Sequence, residues 1–384
     1  MNHSLAAKLW RVTISVLGVG AVVVALIVGT SPTAAIAGTT TTSTSSTTTT
    51  STSTTTTYPG ETTTTTVAPT TTTTLPRPTL AWPARGSAAI LVPQLGVAAA
   101  SANQPRQPIA SLTKLMTTWV ALHRLPLGTS GTGPCEVVNA SDMALYNYDN
   151  ATDQSGVKIV LGEKLCERTL LRGMLVHSAG DYAQLLVVLT GMQQATFVAA
   201  MNQTAKSLGL SQTHYVDVTG ISTGDMSTAQ DQVTMAADLM TKEPVVQSIV
   251  ILTHVALPLA GIVTSFTPFT GEGNVIGVKS GYTNEAGGCD AMATVDQIGA
   301  TTYTTYAVVL GQHSYNSLGL AGSDALALSQ SIRTSMSRVK TPTGLVVEWI
   351  GSPSDVTTPT TTTTTSTTTS TTSTTTSTTT TTLP

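Results

Sequence analysis

The chain has 384 residues, a formal charge of −3 and only 10% charged side chains. It carries no basic patch interleaved with aromatics, so nucleic-acid binding has no support. Its three cysteines, Cys135, Cys166 and Cys289, match neither a zinc pattern nor a Cys-x-x-Cys redox pair, and nothing implies a metal or cofactor.

The first segment, 1–37, places Lys8 and Arg11 before an apolar run over 12–29, followed by Ala35-Ile36-Ala37. A basic region, an apolar stretch and a small-x-small site describe a secretory signal peptide. The run also approaches membrane-spanning length, so an uncleaved signal anchor is the competing reading. Either way the remainder is expected to be extracytoplasmic, with membrane attachment only through this N-terminal segment. Residues 38–78 and 354–384 are Thr/Ser tracts, each containing a Leu-Pro pair (Leu75-Pro76, Leu383-Pro384). They hold too few apolar residues to offset ordering entropy and are expected to be disordered spacers.

Between them, 79–353 can bury a core. Residues 87–92 and 97–100 read as antiparallel strands joined by a turn at Pro93 and Gly96. A helix is expected from 111 to about 125, broken by Pro126 and several glycines. Short extended pieces follow at 135–138, 157–160 and 164–166. If the first and last are neighbours, Cys135 and Cys166 can form a disulfide, leaving Cys289 as a buried thiol. Helices are expected over 169–176, 181–190, 195–207 and 229–240, the last capped by Ser227-Thr228. Strands are expected over 275–278, 289–295 and 303–311, and a final helix over 324–339 capped by Ser323. Two strands, a run of helices, then more strands and a helix describe an α+β fold: an antiparallel sheet flanked by helices, with a helical lobe.

The chemistry-bearing residues form three short motifs. Ser111 and Lys114 are three apart on a helix and share a face. An amine can activate a hydroxyl only if its pKa is lowered. Ser178-Ala179-Gly180 and Lys279-Ser280-Gly281 follow in order. Together with the wider segments 109–118, 175–183, 227–231 and 277–287, these motifs resemble the serine D-alanyl-D-alanine carboxypeptidases, the low-molecular-weight penicillin-binding proteins. The resemblance spans roughly 85–340 and implies a penicillin-binding-protein/β-lactamase-like transpeptidase fold. It also implies peptidoglycan stem peptides as substrate and acylation by β-lactams.

The resemblance assigns roles residue by residue. Ser111 is the implied nucleophile, Lys114 its base, and Ser178 a proton relay to the leaving amine. Lys279 is implied to lower the Lys114 pKa by its charge and to attract the substrate carboxylate. Ser280, where the family has threonine, offers a hydroxyl to that carboxylate. Gly281 is expected to let substrate lie along the strand edge. The N–H groups of Ser111 and Tyr282 are the implied oxyanion hole.

Two departures qualify this. Gly180 replaces the family's asparagine, whose amide can hold both the lysine and the substrate's amide; Asp181 matches the family's next residue and is not its substitute. No lysine or arginine lies between Lys279 and Arg333, so carboxylate recognition falls to Lys279 and Ser280. A catalytically impaired peptidoglycan-binding scaffold and a serine β-lactamase are the alternatives. His177, beside Ser178, is read as structural, and Glu285 and Asp290 as strand-end residues.

Overall fold

A computed structural model describes residues 80–151, 154–298 and 300–336, together with short strands at 46–50, 53–58, 61–66, 70–74 and 361–364. The N-terminal segment 1–37, including its apolar run, and the stretch 344–350 lie outside the described residues. The threonine tracts, expected to lack order, contain paired segments: Ser46–Thr50 and Thr361–Thr364 flank Thr70–Thr74, and Ser53–Tyr58 pairs with Glu61–Thr66. The β-branched threonine side chain fits a pleated ladder, which favours pairing at these positions.

In chain order the folded region contains β1 (Ser87–Val92), β2 (Val97–Ala100) and α1 (Thr113–Arg124). Next come β3 (Cys135–Val137), α2 (Ala140–Ala151), β4 (Lys164–Cys166), α3 (Glu167–Val176), α4 (Gly180–Leu189) and α5 (Gln194–Ser207). Then follow α6 (Ala229–Lys242), α7 (Pro244–Val250), β5 (His254–Leu257) and β6 (Gly261–Thr264). β7 (Val275–Thr283), β8 (Gly287–Ile298), β9 (Thr301–Gln312) and α8 (Ser317–Met336) complete it.

The main sheet has five strands in the order β7-β8-β9-β1-β2, all pairs antiparallel. Side chains alternate between its faces, as strand geometry requires. Ala88, Ile90, Val92, Met292, Ala307 and Val309 pack with Ala325, Leu328 and Ile332 of α8 on one face. Ala89, Ala291, Ala293, Val308 and Leu310 join the helical core on the other. Because both faces are covered, the strands read as nearly continuous apolar runs rather than alternating ones.

Several boundaries differ from the sequence reading. Residues 157–160 form no strand; Val157 instead donates its N–H to the Asp181 carboxylate. α8 begins at Ser317, so Ser323 is not a cap; its hydroxyl donates to the Gly319 carbonyl inside the helix. The sequence reading did not mark α2, α7 or the β5–β6 hairpin, although Pro244 opens α7 and Pro258 and Gly261 bracket the hairpin turn. β3 and β4 pair with Cys135 opposite Cys166, and the two are bonded. That cross-link closes a 31-residue separation, for which chain entropy gives about 3–4 kcal/mol. Cys289 is a buried free thiol.

Candidate active site

The sheet and the helical lobe meet at a cleft of about 250 Å3 lined by Ser111, Lys114, Ser178, Ser280, Gly281 and Tyr282, among others. Six of the seven residues singled out from sequence therefore border one cavity. The seventh, Lys279, is fully buried beneath it.

Ser111 sits in a single 3-10 turn, Ala110–Leu112, that leads directly into α1. The turn is gripped by main chain on two sides. A Cβ on Gly281 would stand 2.6 Å from the Ser111 nitrogen and 3.2 Å from the Leu112 nitrogen. A Cβ on Gly220 would overlap the Ala110 carbonyl. Gly281 therefore has a structural requirement beside the role expected of it: the turn at Ser111 crosses β7 at that point and leaves no room for a side chain. Ala110 has φ 48° and Ser178 has φ 63°. Left-handed backbone at a non-glycine residue costs about 1–2 kcal/mol; Ser178 lines the cleft and Ala110 directly precedes Ser111.

Lys114 points from the first turn of α1 to Ser111. Its Nζ donates to Ser111 Oγ at 2.9 Å and to the Thr219 carbonyl at 2.7 Å. Burial lowers its pKa from 10.5 to about 8, against the opposing pull of Asp217, Asp149, Asp181 and Asp225. Desolvation disfavours the ammonium form. Burial and a nearby cation were both open from the sequence, and the resemblance implied Lys279; burial is the leading cause. Lys279 is itself held well below its usual value, first by burial and then by the nearby Lys114. Its ammonium donates to the Ser280 carbonyl at 2.7 Å.

Asp290 is not a strand-end residue. It lies within β8, opposite Ser280, with no exposed surface. Both its oxygens lack a hydrogen-bond partner among the described residues. Burial raises its pKa well above normal, and Lys279 opposes that rise. Ser280 Oγ donates to the Phe266 carbonyl at 2.8 Å, so it must turn to donate to a bound carboxylate. Tyr282 is half-exposed, with its hydroxyl donating to the Asn284 side-chain oxygen. His177 donates from Nδ1 to the Thr264 carbonyl at 3.0 Å, and its ring packs on Phe266. Arg333 pairs with Asp296 at 2.8 Å and does not border the cleft.

The sequence reading missed the loop that holds Lys114. Asp217 accepts backbone N–H bonds from Thr219 and Gly220, both at 2.6 Å, and from Ser222 at 2.7 Å. Asp225 accepts from Val216 at 2.6 Å and from the Thr113 hydroxyl at 3.1 Å. The pattern Asp217-x-Thr219-Gly220 is a turn signal that could have marked it. Gln154 and Ser155, which line the cleft opposite β7, gave no local signal.

A buried lysine bonded to a serine thus shares one cleft with a second serine and the strand that carries Lys279. The family model described as D-alanyl-D-alanine carboxypeptidase matches residues 86–314, and the chain belongs to that family. It is similar to a D-alanyl-D-alanine endopeptidase of Escherichia coli K12, 29% identical over 201 residues, covering 49% of this chain and 60% of the relative. It is also 29% identical over 139 residues to the D-alanyl-D-alanine carboxypeptidase DacF of Bacillus subtilis 168, covering 35% of this chain and 33% of the relative. The chain thus spans at most about six tenths of these relatives' length. Among solved structures, the Streptomyces K15 DD-transpeptidase shares the fold, with a TM-score of 0.56 and 23% identity. That likeness covers 68% of this chain and all of the other. Penicillin-binding protein 6B of Escherichia coli has a TM-score of 0.56 at 25% identity, covering 64% of this chain and 76% of that one.

Proposed function

We propose that the protein is an exported serine DD-carboxypeptidase that removes the terminal D-alanine from peptidoglycan stem peptides and is acylated by β-lactams. The observation that carries the reading is the 2.9 Å bond from Lys114 Nζ to Ser111 Oγ, made by an amine whose pKa burial has brought to about 8. An amine of that pKa is still mostly protonated near pH 7, but roughly a tenth of it is neutral and can accept a proton, far more than for an ordinary lysine.

In the proposed reaction Ser111 Oγ attacks the carbonyl between two D-alanines while its proton passes to Lys114. The oxyanion is held by the N–H groups of Ser111 and Tyr282. Collapse breaks the C–N bond, and the leaving amine takes a proton returned from Lys114 through Ser178, leaving a Ser111 ester. Lys114 then deprotonates the water that hydrolyses the ester. The substrate carboxylate approaches Ser280 and the buried Lys279; its negative charge favours the ammonium form of Lys279. Export rests on the sequence of segment 1–37, and the Cys135–Cys166 disulfide fits an oxidising compartment.

The test is a fluorescent penicillin together with D-alanine release from a pentapeptide. Stable labelling and release, both lost in Ser111→Ala, support the reading. Rapid turnover of the label would make it a β-lactamase, and a folded protein that neither labels nor releases D-alanine would be a binding scaffold. The endopeptidase name of the Escherichia coli relative makes a cross-linked muropeptide dimer the second substrate to try.

A further inference from the structure

Gly180 has no side chain with which to meet a substrate amide, yet the space beside it is occupied. A Cβ built there would stand 3.4 Å from Gln154 Oε1 and 3.4 Å from Asp149 Oδ2. A Cβ would fit there in van der Waals contact, and a longer side chain directed the same way would meet Gln154 and Asp149. Gln154 borders the same cleft as Ser111, Ser178 and Gly180. It reaches that place from a different part of the chain, the segment after α2.

That segment is fastened to the end of α2 and to the start of α4. The Gln154 N–H donates to the Asp149 carbonyl at 3.0 Å. The Ser155 carbonyl accepts the Gly180 N–H at 2.7 Å. The Val157 N–H donates to both oxygens of Asp181, at 3.2 and 3.0 Å. Asp181 therefore anchors the loop and does not itself face substrate. The missing side chain at 180 and the Gln154 carboxamide are a reciprocal pair: the glycine makes room, and the glutamine fills it with the same functional group.

We propose that Gln154 is a substrate-binding residue whose carboxamide meets the amide on the N-terminal side of the scissile bond, in place of the side chain absent at Gly180. A primary carboxamide offers two donors and an acceptor, which suits both the carbonyl and the N–H of a peptide unit. This inference rests on the DD-peptidase reading above. It implies that the site is complete rather than impaired, with its amide-recognition group supplied from another strand of the chain.

The experiment compares acylation by benzylpenicillin, which carries an acylamido group, with acylation by 6-aminopenicillanic acid, which lacks one. In Gln154→Ala the second-order acylation rate with benzylpenicillin should fall by about ten- to a hundredfold, the effect of removing one polar partner from a desolvated site. The rate with 6-aminopenicillanic acid should hold nearly constant, a contrast that a purely structural role would not produce. Gly180→Asn alone should gain nothing, because Gln154 occupies the space. Gln154→Ala combined with Gly180→Asn should recover most of the lost rate. Equal losses with both compounds, no loss in Gln154→Ala, or a gain from Gly180→Asn alone would overturn the inference. A wild-type protein that benzylpenicillin does not acylate would instead remove the functional reading and the inference with it.

Discussion

Gly281→Ala tests whether main-chain contact sets the position of the nucleophile. The added Cβ would stand 2.6 Å from the Ser111 nitrogen, and relieving it to an ordinary 3.4 Å contact needs a shift of about 0.8 Å. The opposing atom is backbone, so no rotamer change can absorb it. Gly220 blocks retreat on the other side, where any displaced Ala110 carbonyl meets the 219–220 loop. Overpacking of this kind costs about 1–3 kcal/mol. In a domain of this size that lowers the unfolding midpoint by roughly 2–10 °C. The catalytic loss should be larger, because a misplacement near 1 Å at reacting atoms costs on the order of a hundredfold. The assay is the rate of fluorescent-penicillin labelling beside a thermal melt. Wild-type labelling with an unchanged midpoint would refute the argument that Gly281 is required by the turn. A lowered midpoint with wild-type labelling would show that the turn can move without consequence for Ser111.

Other consequences are open to direct measurement. Lys114 acts as a base only when neutral, so kcat/KM should rise with pH and level off above about 8. Below that point it should fall about tenfold per pH unit, and a flat profile from pH 6 to 9 would remove Lys114 as the base. Asp217→Ala releases the N–H groups of Thr219, Gly220 and Ser222, and with them the carbonyl that holds Lys114. It should cost about 1–3 kcal/mol of stability and most of the acylation rate; retained labelling would show that Ser111 alone positions the amine. Ser178→Gly relieves a residue at φ 63° and removes its hydroxyl. D-alanine release should be lost while stability holds or rises by up to about 1 kcal/mol, and a large destabilisation would contradict the strain assigned there. Replacing Cys135 and Cys166 with serine should lower stability by about 3–4 kcal/mol, read by urea titration.

The pieces legible in the sequence were those whose signal is local. Ser111 and Lys114 are three residues apart on one helix face, and β9 is a long β-branched and aromatic run. Thr228 caps α6 by accepting the Asp231 N–H, as the Ser-Thr start of that helix suggested. What stayed hidden depends on distant chain segments. The role of Gly281 becomes visible only when β7 crosses the turn at Ser111. The low pKa of Lys114 is a property of the closed core around α1, which no spacing reveals. Gln154 reaches the cleft from the segment that follows α2, a helix whose face is too weakly apolar to be read. Asp290 looked like a strand end because an acid seldom occupies the middle of a buried strand.

The turn at Ser111 has one neighbour in the sheet and another in the helical lobe. Gly281 belongs to β7, while Gly220 belongs to the loop that Asp217 and Asp225 tie to the helices. Both contacts are main chain against main chain, so no side-chain rearrangement can buffer them. A tilt of one lobe against the other is therefore transmitted to Ser111 directly. Substitutions far from the cleft that shift this packing, on α6 or α8 for example, should register as changes in acylation rate before they register as loss of fold.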